Sequence, residues 1–355
     1  MMVMMMVMMM VMMGCNSGGV KGEGTGGGEG REGSLSEVLL EVGRSAENVF
    51  YSFVALISDT LGFNATQDTK KQDVGEYFDN LSVKIGSASK ELEDVVRKAE
   101  GEGFKDGPIA VAIREAVNVA KTTLNTLKEN LESLKDIGDG AVVGDAASNK
   151  EGVAADGDAL NKVLKAFQGI MDTAGKEGVA KPEVGNTTVK IDNANNKDGA
   201  KILSTNSNAK PAAADVGKAA AILTTVSGKE ILASIVDSKD SDPVLGGSAP
   251  NGNTTAMSFA KGGNTADNLA QDAVKAAAVA GGIALRSLIK TGKLASGAVD
   301  KSQGGKEEVQ KVGVAAVNKL LVAVEDIMKK TVKEILKKVK EKIDKSRSPK
   351  AADQQ

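Results

Sequence analysis

Three groups of residues have the chemistry to mark a site: a single thiol, several aspartate clusters and a lysine-rich stretch near the C-terminus. Cys15 is the one cysteine in 355 residues, and histidine is absent. Those two facts exclude histidine bases and ligands, Ser-His-Asp triads, an intrachain disulfide and multi-cysteine zinc or iron–sulfur sites. Asp237, Asp240 and Asp242 lie close together, as do Asp136 with Asp139 and Asp156 with Asp158. None has the glycine-and-glutamate register of an EF-hand, so no metal and no cofactor is expected. No pair of carboxylates is singled out as an acid and a base, and the chain does not read as an enzyme. The glycine run at 22–30 follows no strand and is closed by no Lys-Ser/Thr pair, which excludes a phosphate-binding loop. The lysines are Lys329, Lys330, Lys333, Lys337, Lys338, Lys340, Lys342 and Lys345. Between Lys329 and Lys350 ten basic residues face three acidic ones, although the whole chain carries a net charge of -2. Two readings of that stretch stay open: a solvated helix face, with cations favoured at a helix C-terminus, or contact with an anionic membrane or host polyanion. Nucleic acid is not an expected partner, because aromatics make up only 3% and no base-reading pattern accompanies the lysines.

The thiol has a distinctive setting. Met1–Met13 is an uninterrupted Met/Val run holding ten of the 13 methionines. It falls short of the roughly 20 residues that span a bilayer. Gly14 and Cys15 end it, and this order resembles the lipobox of a bacterial lipoprotein signal peptide. The resemblance implies that residues 1–14 are a signal and that Cys15 becomes an N-palmitoyl, S-diacylglycerol cysteine. Several acyl chains, at about 0.8 kcal/mol per buried CH₂, give stable anchoring in outer-membrane lipid. From Asn16 to Ser34, nine of 19 residues are glycine. Residues 15–34 therefore read as the lipidated cysteine and its tether, with an r.m.s. span of roughly 25 Å.

Positioning elements follow from periodicity. Ser34 and Glu37 can cap a helix over 35–61, and Pro108 can open one reaching Ile137. The buried side of the latter reads as Val111, Ile113, Val117, Val119, Leu124, Leu127, Leu131 and Leu134. A shorter charged helix is expected over Ser89–Ala99. Six of the nine aromatics lie between residues 50 and 78 and read as a helix–helix core. Residues 138–266 are rich in turn pairs such as Asp139-Gly140 and Asn251-Gly252, with short helices over 160–171, 212–223 and 230–236. Val184–Ile191 and Thr224–Val226 are the strand candidates. An alanine-rich helix is expected over 269–290, with Gly281-Gly282 permitting close backbone contact. A last helix over 307–345 carries Val317, Leu321, Val324, Met328, Val332, Ile335, Val339 and Ile343 at helical spacing. The expected fold is all-α: an elongated helical bundle, residues 35–345, with long N- and C-terminal helices packed together, a loop-rich middle and a flexible tail at 346–355.

Particular segments also resemble one family. Met12-Met13-Gly14-Cys15-Asn16-Ser17-Gly18-Gly19 and the glycine spacer look like the start of the variable large proteins of relapsing-fever spirochaetes (Borrelia). Leu39–Leu61 resembles their shared N-terminal helix, Ala284–Ala295 their internal helix and turn, and Val309–Ile343 their C-terminal helix. The resemblance implies a lipoprotein of the cell outer membrane, exposed on the cell surface, that takes part in antigenic variation and evasion of host antibodies. The terminal helices would then pack near the membrane, with the irregular middle distal. A homodimer or lateral coat packing is left open, and the alternative function is a host-ligand adhesin using the basic helix.

Overall fold

Apolar residues recur every three or four positions from residue 71 onward, and the chain there forms a continuous 29-residue helix, α1 (Lys71–Ala99). Val74, Tyr77, Phe78, Leu81, Ile85, Leu92 and Val95 occupy its buried side. Asp73 accepts the Lys70 amide at 2.7 Å and closes the first turn. Pro108 opens α2 (Pro108–Glu132), where its missing N–H leaves no bond unmade. Ion pairs of Asp79 with Lys135, Glu93 with Lys121 and Glu100 with Arg114 show that α1 and α2 run antiparallel. The computed structural model describes residues 61–100, 107–191 and 194–347. These belong to one compact unit, Val38–Gln355; the other unit, Met1–Glu37, lies outside the described residues.

The remaining helices are α3 (Gly157–Lys176), α4 (Asp215–Thr224), α5 (Gly228–Val236), α6 (Ala256–Lys261), α7 (Ala276–Leu288) and α8 (Lys306–Arg347). Their starts are written in the sequence: Asp156 accepts from the Ala159 amide at 2.9 Å, Ser227 and Glu230 form a capping box, and Thr255 caps α6. All 13 residues of α7 are buried. α8 has 42 residues, a length of about 63 Å at 1.5 Å per residue. It packs against α2, α3, α4, α5 and α7, so it is the spine of the bundle. The first described residues run alongside it in the opposite direction. Gln310 donates to the Gln67 carbonyl at 2.7 Å, Asn318 accepts from the Ala65 amide at 2.8 Å, and Glu325 accepts from the Gly62 amide at 3.1 Å. Sheet structure among the described residues is limited to a two-stranded antiparallel pair, β1 (Lys190–Ile191) with β2 (Ala194–Asn195), and isolated bridges.

The fold is thus the all-α bundle expected, with several boundaries moved. Residues 35–60 of the expected first helix lie outside the described residues, as do Phe50, Tyr51 and Phe53 of the aromatic cluster. The rest of that cluster is core: Phe63 stacks on Tyr77 at 4.9 Å, and Phe78 meets Phe167 edge-on at 6.3 Å. α1 starts 18 residues before the expected Ser89. Gly75 and Gly86 weaken the local helical signal, yet a Cβ on Gly75 would sit 2.1 Å from the Lys135 carbonyl oxygen, so packing rather than propensity sets that stretch. Val119 is 63% exposed, not part of the buried side of α2. Residues 269–275 form turns and a bridge of Lys275 to Thr188, which shortens the alanine-rich helix to α7. Thr224 ends α4 and Thr225 and Val226 begin the α4–α5 connection, so Thr224–Val226 is not a strand. Gly281 and Gly282 do permit close contact: a Cβ on Gly282 would come within 2.4 Å of the Phe259 Cβ in α6.

Adjacent residues of α8 test this packing. Leu321 is fully buried, whereas Val322 is 61% exposed. Leu321→Asp is expected to destabilise by more than about 3 kcal/mol and Val322→Asp by less than about 0.5 kcal/mol, measured by urea unfolding. Equal effects would displace α8 from the core.

Candidate functional site: a loop surface on buried cations, and a basic helix end

Arg286 is the third residue from the end of α7, a helix whose one other polar side chain is Ser287, and it has no exposed surface. Its guanidinium donates to backbone carbonyls alone: Ala260 at 2.8 Å, Phe259 at 3.3 Å, Leu203 at 3.4 Å and, at 3.5 Å, Lys293. Burial lowers its pKa to about 9, which still leaves it charged at neutral pH. Lys71, also buried, donates to the carbonyls of Ile289 at 2.9 Å and Gly292 at 2.5 Å. Burial pulls the Lys71 amine down to about 8, partly offset by the charges of Asp139 and Asp145. Asp139 also receives the Thr291 amide at 2.8 Å and the Ala141 amide at 3.0 Å. Burial pushes the Asp139 carboxyl up, but these bonds and the Lys71 charge outweigh it and hold the group below its usual range. The turn after α7, with Thr291 at φ 61°, is therefore gripped from several sides.

Over this framework lie irregular stretches tied to one another. Lys181 pairs with Asp237 at 2.7 Å, Thr188 bridges Lys275, and Asn195 donates to Asp272 at 2.9 Å. Bonds from Asn195 and Lys197 hold the Asp272 carboxyl below its usual range. Backbone bonds from the Thr205 amide to Gly263 at 3.0 Å and from the Leu245 amide to Gly262 at 2.9 Å fix the next layer. One surface results, built from parts of residues 181–275. It carries two open depressions, about 500 Å³ beside Lys181, Asn186 and Lys275, and about 350 Å³ beside Val244, Ser248 and Asn253. Asn186, Thr187, Val244, Ser248, Asn251 and Asn253 are exposed on this surface, with Leu245 and Pro250 buried beside Val244 and Asn251.

A different region holds the lysines. Lys329, Lys330, Lys333, Lys337, Lys338, Lys340, Lys342 and Lys345 are all exposed on α8. Lys330 pairs with Asp326 at 2.8 Å, Lys338 with Glu177 at 2.7 Å and Lys340 with Asp344 at 2.8 Å. At about 100° per residue the eight divide between two edges of the helix. Lys338, Lys342 and Lys345 line a groove of about 280 Å³ against Val119 and Thr123 of α2. The other five lie around the helix from that groove.

Cys15 lies outside the described residues. The aspartates serve the fold: Asp156 caps α3, Asp237 pairs with Lys181, and Asp242 accepts from the Lys239 amide and Thr255 at 2.8 and 2.6 Å. Among the described residues no group of three or more ionisable ligands could hold a metal ion. Nor is any single described helix long and apolar enough to cross a membrane. Sequence reasoning overlooked Arg286 and Lys71. The available signal was one arginine inside an alanine-, leucine- and glycine-rich helix, which solvation alone does not explain.

This geometry defines a class: an all-α scaffold that presents loops from a backbone clamped by buried cations. The sequence profile of the Borrelia lipoprotein family matches residues 46–343. Variable large protein 25 of Borrelia hermsii is 58% identical over 323 residues, covering 90% of this chain and 87% of that one. Variable large protein 18 of the same organism is 56% identical over 323 residues, covering 91% and 87%. The crystal structure of the Lyme disease variable surface antigen VlsE of Borrelia burgdorferi shares the fold, with a TM-score of 0.69 over 88% of this chain and 99% of that chain at 23% identity. The chain belongs to the variable large protein family of Borrelia.

The buried amine of Lys71 makes stability depend on pH with a definite sign. An unfolded lysine keeps its proton to about pH 10.4, while the folded group releases it near 8. Between those values the unfolded chain binds more protons, so stability rises with pH. Relative to Lys71→Met, the parent is expected to gain about 2 kcal/mol between about pH 7 and 10 in urea unfolding. A flat or falling difference would contradict the buried amine.

Proposed function

We propose that the chain is a lipid-anchored outer-surface antigen whose loop surface faces host antibodies and whose exposed loop residues change in antigenic variation. Residues 1–14 serve as the lipoprotein signal, Cys15 as the acylated residue and residues up to 34 as the tether. The observation that carries this reading is membership of the variable large proteins, joined to a loop surface on which backbone bonds such as Thr205 to Gly263 and Leu245 to Gly262 leave side chains such as Asn253 exposed. Family likeness to VlsE, a variable surface antigen, supports the same role. In this reading change is cheap at exposed side chains and costly at the carbonyls beneath them.

Two experiments address it. In a spirochaetal host the chain is expected to incorporate labelled palmitate and to be shaved from intact cells by brief protease treatment. Cys15→Ala should lose the label, and equal labelling would sink the anchor.

Substitutions in one loop address antigenic change. Asn251 accepts the Asn253 amide at 2.8 Å through its side chain, so Asn251→Ala is expected to cost about 1 kcal/mol. Asn253 is exposed and uses only its backbone in that turn, so Asn253→Lys should cost less than about 0.5 kcal/mol. It should nevertheless abolish binding by those antibodies to the parent that map to this loop. Unfolding by Asn253→Lys, or antibodies on intact cells that recognise only α1, α2 and α8, would refute the loop-surface reading.

A further inference from the structure

The lysines of α8 and the path of residues 67–62 converge on one end of the body. Followed backwards, the chain meets Gln310 at Gln67, Asn318 at Ala65 and Glu325 at Gly62. It therefore leaves the described body heading along α8 toward Lys329–Lys345. That end is also where charge is concentrated. Residues 329–350 carry seven net positive charges in a chain of net charge -2, which leaves the remainder nine net negative. An anionic surface attracts this end and repels the rest, so the field orients the molecule as well as holding it. Beside the lysines, the groove adds the exposed apolar side chain of Val119.

We propose that the C-terminal end of α8 is a second membrane contact, resting end-on against an anionic lipid surface. The proposal rests on the Cys15 anchor, which holds the chain within a tether's reach of that surface. A lipid surface fits better than a soluble polyanion because the proposed Cys15 anchor keeps one near the chain, and the net negative remainder turns the lysine-bearing end toward it. End-on contact has a graded consequence. Lys329 and Lys345 are separated by 16 residues of helix, about 24 Å, which exceeds twice the roughly 10 Å screening length at 0.1 M salt. Only the last lysines then lie within the attractive field.

The test uses the full chain with Cys15→Ala, so that binding does not depend on acylation, and vesicles of phosphatidylcholine with or without one-third phosphatidylglycerol. Binding is expected only to the anionic vesicles and is expected to vanish at about 0.5 M salt. Replacing Lys340, Lys342 and Lys345 by Gln should weaken it more than about tenfold, and replacing Lys329, Lys333 and Lys337 by less than half as much on a logarithmic scale. Gln at Lys162, Lys165 and Lys239, all exposed elsewhere, should change nothing. Circular dichroism checks that each variant keeps its helix. Absence of binding to anionic vesicles, equal losses from the two triple variants, or retention on heparin with none on vesicles would overturn the contact. Palmitate labelling at Cys15 is a separate readout, so failure of the anchor and failure of this contact are distinguishable.

Discussion

Arg286 meets no carboxylate among the described residues, only carbonyl oxygens from three separate stretches: Leu203, Phe259 with Ala260, and the turn at Lys293. Enclosing a guanidinium costs several kcal/mol of lost hydration, and only well-placed acceptors offset it. The converse also holds, since those carbonyls need a donor once they are buried. Each stretch of backbone is thereby held to one position, whatever side chains it shows to solvent. Lys71 applies the same chemistry to Ile289 and Gly292 and ties the turn after α7 to the start of α1.

Backbone acceptors suit a loop surface that must change. A clamp built on an Asp or Glu side chain in a variable loop would be lost with that residue, whereas a carbonyl is present in every amino acid. The arginine itself lies in α7, where all residues are buried and α8 and α6 press on both sides. Constraint is concentrated in α7, its turn and α8; freedom is left to side chains such as Asn186, Val244 and Asn253. The basic end of α8 is removed from this division, because its lysines are exposed and their helix is held by the opposite face.

Long helices were legible in the residues because a 3.6-residue stripe over many turns has few alternatives. All eight apolar positions read along α8, from Val317 to Ile343, are buried. Pro108 likewise marks a helix start by local chemistry, whereas the Ser227 cap puts the start of α5 at Gly228, ahead of the expected 230. What periodicity could not show was decided by distant backbone. Gly75 weakens α1 locally but is required by Lys135, and Lys275 leaves the alanine-rich helix to pair with Thr188. Val119 looked like a buried position by spacing, yet the groove beside Lys338 leaves it open. The cation clamps were hidden for the same reason: a carbonyl acceptor has no sequence signature. The lysine stretch was plain, but the groove that Lys338, Lys342 and Lys345 line needed the placement of α2 and Glu177.

The Arg286 clamp fixes the backbone of the loop surface around Leu203, Gly262 and Gly263. Amide hydrogen exchange of the parent and Arg286→Met, under conditions where both keep their helical signal, tests it most directly. Methionine retains much of the volume while leaving the carbonyls without their donor. Exchange is expected to quicken at the amides of Thr205, Leu245 and Ala295, which bond to Gly263, Gly262 and Ile202 beside the clamp, while amides within α1 and α2 keep most of their protection. Unchanged protection at Thr205, Leu245 and Ala295 would contradict the account.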